Sequence, residues 1–221
     1  MSNARNLARV VADTSGAIAA TNLANAVPAD GSITTAKLAA NAVTDAKIAA
    51  VAASKLSGKV PSANANSGSV LQVVQSTKTD TQTFSGMYTA WADISGLSVT
   101  ITPSSASSRI VILGHIAVGA SGNPPQLRIL RNSSLIFASD PAGSRKQAFV
   151  QPWGGGSNVE MFPTSPVFVD SPGTTSAVTY KFQISIGGGA TNHINRSDRD
   201  QDGSYEDARG ASSILVMEIS G

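Results

Sequence analysis

The chain has 221 residues, of which 16 are Lys or Arg and 14 are Asp or Glu, and it contains two histidines and no cysteine. The absence of cysteine excludes a disulfide framework, a thiol nucleophile and a Cys-based zinc site. No apolar run approaches the ~20 residues of a membrane-spanning helix, and the basic residues are scattered along the chain. We therefore expect neither membrane insertion nor a nucleic-acid partner.

Residues 1–67 differ in composition from the rest of the chain. They are rich in alanine, contain no Phe, Trp or Tyr, and have few large aliphatic residues. Such a segment cannot bury enough apolar surface as a monomer to offset the conformational entropy that is lost on ordering. It is therefore either disordered or ordered by other chains.

A ten-residue repeat favours ordering by other chains. The segment TTAKLAANAV at 34–43 is followed by TDAKIAAVAA at 44–53, and a large apolar residue recurs about every five positions. This spacing fits neither the period of a helix nor that of a strand. Repeats of this kind bury their apolar side chains only against neighbouring copies, so we predict a self-associating stalk. The alternative is a disordered Ala/Ser linker.

From residue 69 onward the pattern becomes that of β-strands. Apolar and polar residues alternate in LSVTIT at 97–102, and the stretch at 109–118 is more continuously apolar, which predicts a central strand. Asn132 and Ser133 form a predicted hairpin turn. No helix pattern follows residue 68, so the predicted fold is mainly β, an antiparallel β-sandwich or jelly roll. The predicted strands cover 69–75, 97–102, 109–118, 126–131, 134–138, 147–151, 166–170, 177–186 and 212–219.

The Thr-x-Ala-Lys-Leu/Ile-Ala repeats resemble stalk repeats of tailed-bacteriophage fibre proteins. Several head segments resemble a β-domain of marine-phage and cyanophage virion proteins, namely GSVLQVVQ at 68–75, LSVTITP at 97–103, SSRIVIL at 107–113, SPVFVDSP at 165–172 and SSILVMEI at 212–219. The resemblance implies a homotrimer located on the virion. Ile33, Leu38, Val43 and Ile48 then become candidates for the trimer axis.

This resemblance also implies three domains. Residues 1–29 would anchor the chain to other virion proteins, residues 30–67 would form the repeat stalk and hinge, and residues 68–221 would form the β-sandwich head. The expected function is non-enzymatic display of the head for attachment to a host cell-surface glycan or protein, as a short tail fibre or head fibre. The alternative is a capsid decoration protein without a receptor, and a polysaccharide depolymerase is the less favoured reading.

The segment DRDQDG at 198–203 matches the first half of a calcium-binding loop. Asp198, Asp200 and Asp202 alternate as the ligands of such a loop do, and Gly203 stands at the position of the sharp turn. The bidentate Glu expected at the twelfth position is replaced by Arg209. The alternative is a solvated turn, because Asp and Gly are also common in turns. Calcium is the one cofactor that the sequence suggests.

Candidate catalytic groups are few. His115 lies in an apolar strand, which predicts a core or subunit-interface residue, and His193 is predicted at the surface or at an interface. The chain contains no Gly-x-Ser-x-Gly motif, and the glycine triplets at 154–156 and 187–189 are read as turns. We therefore expect no catalytic residues and no enzymatic activity.

Receptor-binding residues are expected on loops that the β-scaffold holds. The polar segments 119–125, 139–146, 152–158 and 187–210 are the candidates for the surface farthest from the stalk. Within them, Trp153 and Tyr205 offer large contact area, and Arg199 can pair with acidic sugars. For Trp153 and Tyr205 the alternative is packing against the head or a neighbouring subunit.

Overall fold

The computed structural model describes residues 65–86, 90–152, 157–186 and 190–221. Trp153 and the four trimer-axis candidates Ile33, Leu38, Val43 and Ile48 lie outside the described residues, as do the predicted anchor and most of the predicted stalk. Among the described residues, no helix is long and apolar enough to cross a membrane.

Eleven strands lie within the described part of the chain. They are β1 (Val70–Lys78), β2 (Gln82–Ser85), β3 (Ala92–Ile101), β4 (Arg109–Ser121), β5 (Gln126–Arg131), β6 (Ser134–Phe137), β7 (Met161–Thr164), β8 (Val167–Asp170), β9 (Val178–Ser185), β10 (Thr191–Ile194) and β11 (Ser212–Ile219).

The strands form two antiparallel sheets. The first has the order β1-β11-β4-β10-β2, with β7 and β8 also paired to β4, and the second has the order β3-β9-β5-β6. The long strand β4 organises the first sheet, because β8 and β11 pair with its first half and β7 and β10 with its second half. The predicted antiparallel all-β head with two layers is confirmed.

The core lies between the two sheets and follows the alternation of the strands. In β3, Leu97, Val99 and Ile101 are buried, and they meet Ile214 and Val216 of β11 in one continuous apolar cluster. Alternate residues of a strand lie on opposite faces of the sheet, so one face of each strand supplies the core. The period-2 pattern of the sequence therefore predicted the inward-facing residues of β3 correctly.

Three strands were missed and one prediction was wrong. The missed strands are β2, β7 and β10, which have four residues each and carry polar residues or a proline, so they show too few alternations for a pattern. The wrong prediction is the strand at 147–151, where the structure has one isolated β-bridge, between Val150 and Leu127. The predicted turn at Asn132 and Ser133 is confirmed, since it joins the antiparallel pair β5 and β6.

The head has two ends, which we call the base and the tip. At the base, Val70 pairs with Ile219, and Ile219 pairs with Arg109. The chain enters the head here, because the amide of Gly68 donates to the Ser220 carbonyl over 2.9 Å and the amide of Ser220 donates to Ser69 over 2.9 Å. These bonds hold the incoming segment and the end of β11 together.

The tip lies at the opposite end of the first sheet. There Ser121, the last residue of β4, pairs with Thr191, and Thr191 pairs with Ser85. A strand rises about 3.3 Å per residue, so the length of β4 separates base and tip by about 40 Å.

Candidate functional site

The described parts of the four candidate loop segments lie toward the tip. Residues 122–125 follow β4 directly, residues 157–160 precede β7 beside Gly119, and residue 190 precedes β10 beside Ser121. Lys146 donates to the carbonyl of Ile186 over 3.2 Å, which brings the segment 139–146 to the same end. The acidic segment 196–210 leaves the sheet in its tip half, and the amide of Arg199 donates to Asn158 over 2.9 Å.

Arg199 and Asp207 organise the acidic segment. The Nε atom of Arg199 lies 2.7 Å from Oδ2 of Asp207, and its Nη2 atom lies 3.1 Å from Oε2 of Glu206. The hydroxyl of Ser197 donates to Asp207 over 2.6 Å, and the Asp207 side chain is 1% exposed. The Ser197 hydroxyl and then Arg199 hold the pKa of Asp207 below its usual value. The carboxylate therefore remains charged and holds the loop closed.

Asp200 forms a second anchor in the same segment. Its two carboxylate oxygens accept from Nε and Nη2 of Arg209 at 2.8 and 2.7 Å, which is the bidentate geometry preferred by arginine and carboxylate. Arg196 lies 3.6 Å from the same carboxylate. The backbone of Asp200 has φ of 46°, in the left-handed region that Asp tolerates in turns. Arg209, which replaces the expected calcium-binding Glu, thus supplies a positive charge to Asp200 from within the chain.

The three candidate calcium ligands have separate partners. Oδ1 of Asp198 lies 2.9 Å from Nε2 of His193, Asp200 faces Arg209, and Oδ1 of Asp202 accepts from the amide of Gly203 over 3.0 Å. Across the described ranges, no group of three or more His, Cys, Asp or Glu residues is placed to hold a metal ion. The calcium site stays a prediction.

The candidate receptor-binding residues of this loop differ in availability. Tyr205 is 97% exposed, the highest value among the exposed large hydrophobic residues of the described chain. Arg199, in contrast, uses Nε and Nη2 for Asp207 and Glu206, and Nη2 also donates to the Ser204 hydroxyl over 2.8 Å. Tyr205 therefore presents its ring to solvent, while the guanidinium of Arg199 stabilises the loop that carries Tyr205.

Two environments were predicted for each histidine, and the structure excludes one of the two in each case. His193 is 2% exposed, so of its two predicted positions the surface one is wrong and the interface one stays a prediction. Its Nδ1 atom lies 3.1 Å from the hydroxyl of Thr83, and its Nε2 atom contacts Asp198. Burial lowers the pKa of His193, although Asp198 acts in the opposite direction. His115 is exposed, with Nδ1 3.3 Å from the Ser165 hydroxyl, so its predicted core position is wrong, whereas the alternative of a subunit interface stays a prediction.

Glu218 is a buried carboxylate at the base that the sequence analysis did not identify. The residue is 0% exposed, and its Oε1 atom accepts from the amide and hydroxyl of Ser104 at 2.7 and 2.6 Å and from the Ser108 hydroxyl at 2.7 Å. Its Oε2 atom accepts from Gln72 over 2.6 Å. Burial raises the pKa of Glu218, but the hydrogen bonds from Ser104, Gln72 and Ser108 outweigh it and hold the pKa below its usual value.

A second buried carboxylate, Asp170, joins the two sheets. It accepts from Nη1 of Arg131 at 3.1 and 2.8 Å and from the hydroxyl of Tyr180 at 2.7 Å. Asp170 belongs to the first sheet, whereas Arg131 and Tyr180 belong to the second. Burial, together with this carboxylate, raises the pKa of the Tyr180 hydroxyl, which remains a donor at all physiological pH values.

Comparisons with known proteins complete the description. No protein-family model and no curated protein matches the chain. Among solved structures, the chain is similar to the VP2 subviral particle of infectious bursal disease virus, with 15% identity over 68% of this chain and 33% of that chain, at a TM-score of 0.36. It is also similar to the structure of the Gx strain of that virus, with 15% identity over 70% of this chain and 39% of that chain, at a TM-score of 0.31. The chain thus spans about a third of the length of these proteins, and similarity at this level supports no argument about function.

Proposed function

We propose that the chain is a non-enzymatic virion fibre protein that displays its β-sandwich head for attachment to a host surface. Residues 1–29 anchor it to other virion proteins, the repeats at 30–67 assemble three copies, and the tip of each head contacts a host glycan or protein. Three heads on one stalk multiply weak contacts through their high effective concentration.

The observation that carries this proposal is the arrangement of the head between its two ends. The chain enters the head at the base, where Gly68 and Ser69 are hydrogen-bonded to Ser220. The described candidate loops lie toward the other end, and the length of β4 separates the two ends by about 40 Å. A domain that is tethered at one end and carries its loops at the other is suited to presenting those loops away from its support.

The acidic segment supports the same proposal through its rigidity. The Arg199–Asp207 and Arg209–Asp200 pairs order the loop that carries Tyr205 before any partner binds. A preordered loop loses less conformational entropy on binding, and an exposed tyrosine offers large contact area with few rotatable bonds. Tyr205 is therefore the residue at the tip on which we expect binding to depend most.

The test is adsorption of particles that carry Tyr205→Ala. We expect adsorption to host cells to fall about ten-fold, the effect of losing ~1.4 kcal/mol at a contact residue. Leu135→Ala is the matched control, because Leu135 is 37% exposed but follows the β5–β6 turn at the base. Both variants should melt at the wild-type temperature, since neither side chain belongs to the core.

The alternative function is capsid decoration without a receptor, and the same experiment separates it from attachment. Normal adsorption of the Tyr205→Ala particles, with the protein still on them, would favour decoration. A gold-labelled antibody against the head would then locate the protein on the particle by electron microscopy. Label over the capsid surface alone, combined with normal adsorption, would overturn the attachment proposal.

A further inference from the structure

The outer face of the first sheet, meaning the side of β1, β11, β4 and β8 that points away from the second sheet, is apolar. The register aligns one residue from each strand in a row across this face: Val73, Met217, Val111 and Val169. Residues that are directly opposite in a ladder share a face, so these four side chains form one continuous strip. Val73 is 54% exposed and Val169 is 49% exposed.

A second row lies beside the first, two residues farther toward the tip. It consists of Gln75, Leu215, Leu113 and Val167, and Val167 is 62% exposed. Toward the base the face continues with Val70, which is 55% exposed. Seven of the eight side chains in the two rows are apolar, and none is charged.

This composition differs from that of a solvated sheet face. An antiparallel sheet with one face in water shows polar residues at the outward positions, as Ser98 and Thr100 do on β3. Within the two rows the outward positions of β4 and β11 are apolar as well, so this part of each strand has the composition of a strand that is covered on both sides. A contiguous exposed apolar patch of this kind marks an interaction site.

We infer that the outer face is covered by the head of a second copy of this chain, an inference that rests on the homotrimer of the proposed function. The repeat proposed to assemble copies ends at Ala53, and only the 16 residues 54–69 separate it from Val70 at the start of β1. Any assembly of copies through that segment holds the β1 strands of the neighbouring heads close to one another. A short tether gives a millimolar effective concentration, at which a modest apolar contact is populated.

The charge pattern favours a second copy over a different partner. When the faces of three heads meet around a trimer axis, residues near that axis lie close to their own copies, and charges in the two rows would repel one another there. The two rows contain no charge, and Arg109 and His115 flank them at either end. Apolar burial then supplies the association energy. An apolar composition of this kind is typical of homo-oligomer interfaces.

The test uses the absence of cysteine from the chain, which allows single cysteines to report accessibility. Val73→Cys and Val167→Cys are introduced separately into the full chain, and the rate of labelling with a polyethylene glycol maleimide is measured. Leu135→Cys is the control, because Leu135 is exposed but lies on the second sheet. We expect the two face cysteines to react at least ten-fold more slowly than the control in the assembled protein, and as fast as the control in denaturant.

The same labelling in a disassembled chain identifies what covers the face. Leu38→Asp with Ile48→Asp, combined with each cysteine, should restore fast labelling, with the folded head verified by circular dichroism. Slow labelling in the monomeric variant would mean that another segment of the same chain covers the face, and would overturn the inference. Fast labelling of the face in a trimer verified by light scattering would overturn it while leaving the proposed trimer intact. A wild type that is monomeric at micromolar concentration would overturn both.

Discussion

Replacing Glu218 by glutamine is expected to destabilise the head by about 2 kcal/mol at pH 7. The wild-type carboxylate accepts four hydrogen bonds from Ser104, Ser108 and Gln72. An amide of the same shape retains one acceptor oxygen and turns the other into a donor. If the oxygen remains toward the serines, the new NH2 group faces the Nε2 atom of Gln72.

Gln72 cannot accommodate the change without loss. Its Nε2 atom also donates to the Thr102 carbonyl over 2.7 Å, so turning its amide to accept from the variant would break that bond. One hydrogen bond is lost in either arrangement, the part-buried bond between Gln72 and residue 218 or the exposed bond to Thr102, at about 0.5–1.5 kcal/mol. The remaining bonds weaken as well, because their acceptor is no longer charged. The lower desolvation cost of the neutral side chain offsets part of this loss, which leaves about 2 kcal/mol.

The assay is urea unfolding of the full chain at several pH values. The folded pKa of Glu218 lies below its unfolded value, so the carboxylate contributes stability that is fully present above the unfolded pKa and lost as the pH falls through the folded pKa. The difference in free energy of unfolding between wild type and Glu218→Gln should therefore be constant above pH ~5 and shrink below pH ~4. Glu160→Gln, at an exposed position before β7, is the matched control and should show no such difference. Equal stability of the wild type and Glu218→Gln at pH 7 would refute the reasoning.

Three further predictions concern pH, assembly and calcium. The pKa of His193 is lowered in the folded head, so the unfolded chain binds the proton at a higher pH than the folded chain does. The free energy of unfolding of the wild type should therefore fall as the pH drops from 7 to 5. His193→Gln should lose this dependence in urea titrations. The double substitution Leu38→Asp and Ile48→Asp should convert the proposed trimer to monomers in light scattering without lowering the melting temperature of the head, because it introduces charge where burial is expected. A variant that remains trimeric would contradict the stalk prediction. Millimolar calcium should leave the melting curve unchanged, since Asp200 is already paired with Arg209. A calcium-dependent rise that disappears in the variant with both Asp200→Asn and Asp202→Asn would instead support the calcium hypothesis.

Much of the head followed from local pattern alone. Period-2 alternation predicted the buried residues of β3, the continuous apolar run predicted β4 as the central strand of its sheet, and the Asn132-Ser133 pair predicted the β5–β6 hairpin. These features depend on residues that are close together in the sequence, where strand and turn preferences act directly. For the segment 198–203, in contrast, spacing left a calcium-binding loop and a solvated turn as alternatives.

The partners of the charged and polar residues were decided by the tertiary structure. His193 is buried because β10 pairs with β2, which brings Thr83 to it across 110 residues of sequence. Glu218 lies at an inward position of β11, where an apolar residue was expected, and it is tolerated because the loop that follows β3 supplies Ser104 and Ser108. Periodicity determines which residues share a face, but pairing across large sequence separations determines what covers that face and which donors reach a buried charge.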